Sequence, residues 1–249
     1  MLEAASLPLA LPWLLTAPRG DGHPVVVLPG FLGGDSAMQC HLRFLTNRGY
    51  DVSHWGLGRN IGFHLRHANA LEAKIRYLHH LTGRKVSLVG WSLGGVFAVS
   101  AAQSAPECVR QVITLGSPIK VEPTGSSSVP RFMGALYRLV AHPMGFKVHF
   151  VRPRAKALRQ AGRLPIPISC LYGINDGIVA PHEAMLPLDH ECHENIRVPA
   201  THMGMVVNPM VMWIIADRLA LPEGSWEPFA PSGASGLLYR ALTRDAAHA

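Results

Sequence analysis

Along the chain, short and nearly unbroken apolar runs take turns with longer stretches whose apolar residues recur every three or four positions. The first run, HPVVVLPGF (23–31), is β-branched and stops at Pro29-Gly30, the pattern of a buried strand. DSAMQCHLRFLTNRG follows, with Met38, Leu42 and Leu45 on one helical face, Ser36 and Gln39 in capping-box spacing, and Gly49 at its end. YDVSHWGL (50–57) predicts a strand. LRHANALEAKIRYLHHLTG (65–83) predicts a helix, with Leu71, Ile75 and Leu78 at i, i+4 and i+7 and Gly83 closing it. KVSLVG (85–90), SLGGVFAVSAAQSA (92–105) and VRQVITLGSP (109–118) read as strand, helix and strand. Strand and helix alternate, so the expected fold class is α/β, a mainly parallel sheet with helices on both faces.

The alternation breaks over 121–165, which reads as a partly helical insertion, and resumes with strands in IPISCLYG (166–173) and NIRVPA (195–200) and a helix in NPMVMWIIADRLALP (208–222). The expected organisation is an apolar arm (1–22), a core of 23–120 and 166–222, a cap or lid insertion (121–165), and a loosely docked tail (223–249). Of 249 residues, 48% are hydrophobic and 16% charged, ample for one large core and far from a disordered composition.

The net charge of +7 is concentrated in the insertion, where eight Arg and Lys face Glu122 alone. No interleaved aromatic pattern accompanies those charges, so a solvated surface is expected rather than a nucleic-acid site. The N-terminal apolar segment carries Glu3 where a secretory signal needs positive charge, and Pro8 and Pro12 interrupt it. No stretch approaches the about 20 apolar residues of a membrane span. A cytoplasmic location without stable membrane insertion is therefore the expectation. Cys40, Cys108, Cys170 and Cys192 show no zinc-finger spacing, and Cys170 lies in an apolar run. His190, Cys192 and His193 cluster in DHECHEN, which fits neither H-E-x-x-H nor H-x-x-E-H and reads as a surface loop rather than a metal site.

The candidate chemistry centres on VSLVGWSLGG (86–95). The pentapeptide G-x-S-x-G is a weak signal alone, but here a strand runs into it and a helix leaves it. Such a turn forces Ser92 into a strained conformation between small neighbours and lifts its hydroxyl above the carboxyl edge of the sheet. It also aims the Leu93 N–H at the same space, at the positive end of the helix.

With these features in this order, the chain resembles the α/β-hydrolase fold superfamily, and within it bacterial esterases and lipases, over roughly residues 23–222. VVVLPGFLGG is similar to the oxyanion loop of that family, LVGWSLGG to its nucleophile elbow, YGINDGIVAP to its acid loop and VPATHMGMVVNP to its histidine loop. The resemblance implies a triad of Ser92, Asp176 and His202, and an oxyanion hole of the Phe31 and Leu93 N–H groups. Of the histidines after Asp176, only His202 lies in a loop between a strand and a helix; Glu183 and Asp189 remain alternatives for the acid. The loop at Phe31 has no leading His and no H-G-G-G form, unlike the esterases that carry one. Phe31, Leu32, Trp91 and Leu93 put apolar bulk around the site and are the expected substrate-binding residues.

The implied activity is a serine hydrolase acting on carboxylic esters with apolar acyl groups, small or lipid-like and including polyesters, with no cofactor and no metal in the catalytic site. The same triad serves acyltransferases and thioesterases, and a non-catalytic binding protein on this scaffold is the reading from another class.

Overall fold

The computed structural model describes residues 2–119 and 161–243 of the chain; the expected cap at 121–165 falls almost wholly outside them. Among the described residues six strands form one sheet: β1 (Pro24–Leu28), β2 (Asp51–His54), β3 (Val86–Trp91), β4 (Val109–Leu115), β5 (Ile168–Gly173) and β6 (His193–Val198). Their order is β2-β1-β3-β4-β5-β6, and every pairing is parallel. Helices are numbered among the described residues as α1 (Leu2–Leu14), α2 (Gln39–Asn47), α3 (Leu65–Thr82), α4 (Leu93–Ser104), α5 (Pro181–Ala184), α6 (Pro209–Ala220) and α7 (Gly233–Thr243).

Alternate residues of each strand feed opposite layers, as a sheet covered on both faces requires. Val26, Leu28, Val86 and Leu88 join Leu71 and Ile75 of α3 and Phe97 of α4 in one core. Val25, Val27, Val89 and Trp91 join Met38, Leu45 of α2 and most of α6 in the other. From β1 the chain moves outward to β2, then crosses back over β1 to β3. The strand order therefore reverses between β1 and β3, and the carboxyl ends at such a switch point are where α/β sheets bind ligands.

Three elements differ from the local sequence signals. The Ser36/Gln39 cap is not used: residues Asp35–Met38 form a tight 3-10 turn, and α2 starts at Gln39 without a side-chain cap. Helix α1 runs through Pro8 and Pro12. Tertiary packing supports it, with Trp13 stacked on Trp213 of α6 at 5.7 Å between ring centroids. The C-terminal segment is pinned rather than loose. Buried Glu194 accepts from Phe229 N at 2.7 Å, Arg218 donates to Glu227 O at 2.6 Å, and Tyr239 Oη donates to Arg197 O at 3.0 Å.

Candidate active site

Ser92 joins β3 to α4 at φ 53° and ψ −121°, a conformation an L residue holds only under constraint, at a cost of about 1–3 kcal/mol. Two contacts impose it. Ser92 N donates to Leu115 O at the end of β4, 2.8 Å away. Gly94, two residues on, lies so close to the β1 loop that a Cβ there would strike the Leu28 carbonyl oxygen. Leu93 begins α4, so its N–H has no partner in the helix and lies at the positive end of the helix dipole.

Asp176 and His202 arrive from the carboxyl ends of β5 and β6. Asp176 Oδ1 accepts from the N–H groups of Ile178 and Val179 at 2.9 and 2.8 Å, which fixes the carboxylate. Its Oδ2 lies 2.8 Å from His202 Nδ1, with both side chains at most 5% exposed. A carboxylate only accepts, so Nδ1 carries the hydrogen and Nε2 keeps its lone pair. Gly116, at φ 53° after β4, makes room for the pair: a Cβ there would lie 2.8 Å from Asp176 Oδ2 and 3.2 Å from His202 Nδ1. Since Ser92 hangs from Leu115, the neighbour of Gly116, all three residues share one stretch of the sheet edge. Among the described residues no hydrogen bond joins Ser92 to His202; such contacts are often loose before substrate binds.

The other candidates fall elsewhere. Glu183 is buried in α5, where its Oε2 accepts from Ala180 N at 3.1 Å, and Asp189 is exposed in the loop before β6. Of the remaining histidines after Asp176, His182 is exposed on α5, His190 and His193 sit at the amino end of β6, and His248 lies outside the described residues.

The β1 loop passes directly beside Ser92: a Cβ on Gly30 would be 3.1 Å from Ser92 Cβ. Phe31 follows in the turn, and Leu32 has φ 60°. Asn60, fully buried, holds this loop with three groups. Its Nδ2 donates to Pro29 O at 2.8 Å, its N–H to Gly33 O at 2.8 Å, and its carbonyl accepts from Leu32 N at 2.7 Å. Nothing local in GLGRNIG marks Asn60, because its partners lie about thirty residues earlier. His41 was equally invisible: its Nε2 meets Met205 O at 2.9 Å and anchors the turn that follows His202. Burial pushes its imidazole down to about 4, so the ring is neutral and donates.

Trp91, expected beside the substrate, is 5% exposed and sits beneath the site. Its indole donates to His202 O at 3.0 Å and its ring tilts against the imidazole. It supports the histidine loop. Leu32 and Leu93 are half-buried, and Phe31 is largely buried.

A family model described as the alpha/beta hydrolase fold matches residues 23–146. Among solved structures, Aspergillus fumigatus lipase B superimposes with a TM-score of 0.62 at 16% identity, covering 85% of this chain and 56% of that one. The mature Bacillus licheniformis lipase BlEst2 gives 0.57 at 20% identity, over 82% of this chain and 95% of that one. The Paleococcus ferrophilus monoacylglycerol lipase gives 0.57 at 16%, over 81% and 96%. The chain thus spans little more than half of the fungal lipase it resembles. No curated protein sequence matches it. With the parallel sheet and its switch point, these matches show that the chain has the α/β-hydrolase fold. Among the described residues no helix is long and apolar enough to cross a membrane.

Proposed function

We propose that this protein is a serine hydrolase of carboxylic esters with apolar acyl groups. The observation that most supports this is the buried Asp176–His202 hydrogen bond of 2.8 Å on the same sheet edge as a serine held at positive φ. In this reading, Ser92 Oγ attacks the ester carbonyl carbon while His202 Nε2 takes its proton. The oxyanion accepts from the N–H groups of Leu93 and Phe31. His202 then returns the proton to the departing alcohol oxygen, leaving an acyl-serine. Water, deprotonated by His202, attacks that ester and frees the acid and Ser92. Asp176 holds the imidazole in the required tautomer and faces the imidazolium that forms. None of these steps calls for a metal or cofactor.

The test is release of p-nitrophenol from acyl esters of increasing chain length, with wild type beside Ser92→Ala. The expected result is turnover that falls by ~10⁴–10⁶ in the variant, and covalent labelling of Ser92 by a fluorophosphonate. A wild-type protein that cleaves no ester and takes no label would refute the reading and favour a binding protein. Acyl transfer to added alcohol or thiol in preference to water would reassign it as an acyltransferase.

A further inference from the structure

Away from Ser92, at the amino end of β6, three potential ligands converge. One donor atom each from His190, Cys192 and His193 lies within 4.8 Å of the others. The distance from this end of β6 to the end that leads to His202 is five residues of strand, about 17 Å. The cluster is therefore separate from the catalytic edge.

Its internal hydrogen bonds prepare it for a cation. His193 is 5% exposed, and its Nε2 lies 3.0 Å from Leu164 O and 3.2 Å from Ile166 O. Carbonyls only accept, so Nε2 carries the hydrogen and Nδ1 presents a lone pair. That Nδ1 is buried and has no hydrogen-bond partner among the described residues. An imidazole held by a backbone carbonyl on one nitrogen, with the other free to coordinate, is how metal-binding histidines are oriented. His190 Nδ1 accepts from Cys192 N–H at 3.3 Å and lies 3.0 Å from Cys192 Sγ, so its lone pair faces the thiol. Asp189 and Glu191, both exposed, add negative charge beside the cluster.

We infer that His190, Cys192 and His193 form a binding site for a zinc-class divalent cation, which ties the loop before β6 to the segment where the chain re-enters the sheet. Two nitrogens and a sulfur suit a borderline cation such as Zn²⁺, not Mg²⁺ or Ca²⁺. Tetrahedral coordination at ordinary Zn–N and Zn–S lengths places donors about 3.3–3.7 Å apart. The outermost pair must therefore close by about 1 Å, within reach of the half-exposed His190 and Cys192 side chains. Binding then replaces an S–H bond with an S–metal bond and releases one proton to solvent. Water or a carboxylate of Asp189 or Glu191 supplies the fourth ligand. The sequence pattern concealed this, because H-x-C-H matches no common spacing and the orienting carbonyls lie 27 and 29 residues earlier.

The full-length protein, stripped of metal under reducing conditions, is titrated with Co²⁺ and then Zn²⁺. The expected result is one equivalent of Co²⁺ with a thiolate-to-cobalt charge-transfer band, displaced by Zn²⁺ and lost in Cys192→Ser. Zn²⁺ should also raise the Tm of wild type by several degrees and leave that of Cys192→Ser unchanged. Should the variant fold poorly, alkylation of wild type decides. Zn²⁺ should slow iodoacetamide modification of Cys192 at least tenfold, and not that of half-exposed Cys40. Absence of the charge-transfer band, its persistence in a folded Cys192→Ser, or alkylation of Cys192 at an unchanged rate would each overturn the site.

Discussion

His41 makes the protein acid-sensitive, by an amount that follows from its surroundings. The imidazole is fully buried on α2, and its hydrogen-bond partner among the described residues is the Met205 carbonyl, which accepts from Nε2–H. Burial lowers its pKa from the ordinary 6.5 to about 4, against a small opposing effect of that hydrogen bond. In the unfolded chain the same imidazole titrates near 6.5. As pH falls below 6.5, the unfolded state takes up a proton that folded His41 refuses, and stability drops by about 1.4 kcal/mol per pH unit. The loss is complete once folded His41 protonates near pH 4, and amounts to about 3 kcal/mol. Against a typical total of about 5–15 kcal/mol, that is a large share. His23 is also buried and held near 4, so wild type loses more than this from its histidines together. A glutamine in place of His41 keeps a donor for Met205 O and does not titrate. Urea unfolding at pH 7 and pH 4 should show wild type losing about 3 kcal/mol more than His41→Gln over that interval. Equal losses in the two proteins, within about 1 kcal/mol, would refute the assignment of the acid sensitivity to His41.

Two further outcomes follow from the site. Asp176→Asn removes the acceptor that fixes the His202 tautomer, so kcat for ester cleavage should fall by ~10³–10⁴ with KM nearly unchanged and the Tm within a few degrees. Asn60→Ala strands the Pro29 carbonyl and should destabilise the fold by about 1–3 kcal/mol. Because the loop after β1, which carries the proposed oxyanion donor Phe31, loses one of its three ties to residue 60, kcat should also drop about tenfold, less than the ~10²–10³ of losing a donor outright. A kcat that stays within twofold would make Asn60 a structural residue only.

The elements legible in the sequence are those whose signals are local. Strands β1, β3 and β4 show as short aliphatic runs, and α3 as a 3.6-residue period ended by Gly83 in the left-handed conformation. The turn around Ser92 shows because a strand, crowded glycines and a helix must follow one another within a few residues. Asp176 and His202 are visible as polar residues in loops directly after strands, with Glu183 and Asp189 as the alternatives to Asp176.

What only the tertiary structure decided depends on partners far apart in the chain. Composition suggested a loose tail, but Glu194, Arg218 and Arg197 meet it from positions 35, 9 and 42 residues earlier than their partners. Trp91 reads as a substrate contact from its position, yet its strand alternation sends it into the core under His202. Asn60, His41 and the His190–Cys192–His193 cluster have roles set by backbone carbonyls that no window of sequence contains. By itself the sequence determined the α/β alternation and the order of the chemical groups, because periodicity and turn chemistry act between near neighbours. Which side chains meet, and which are buried, was decided by the stacking of β1 through β6 and the helices upon them, because packing and hydrogen bonding act between neighbours in space.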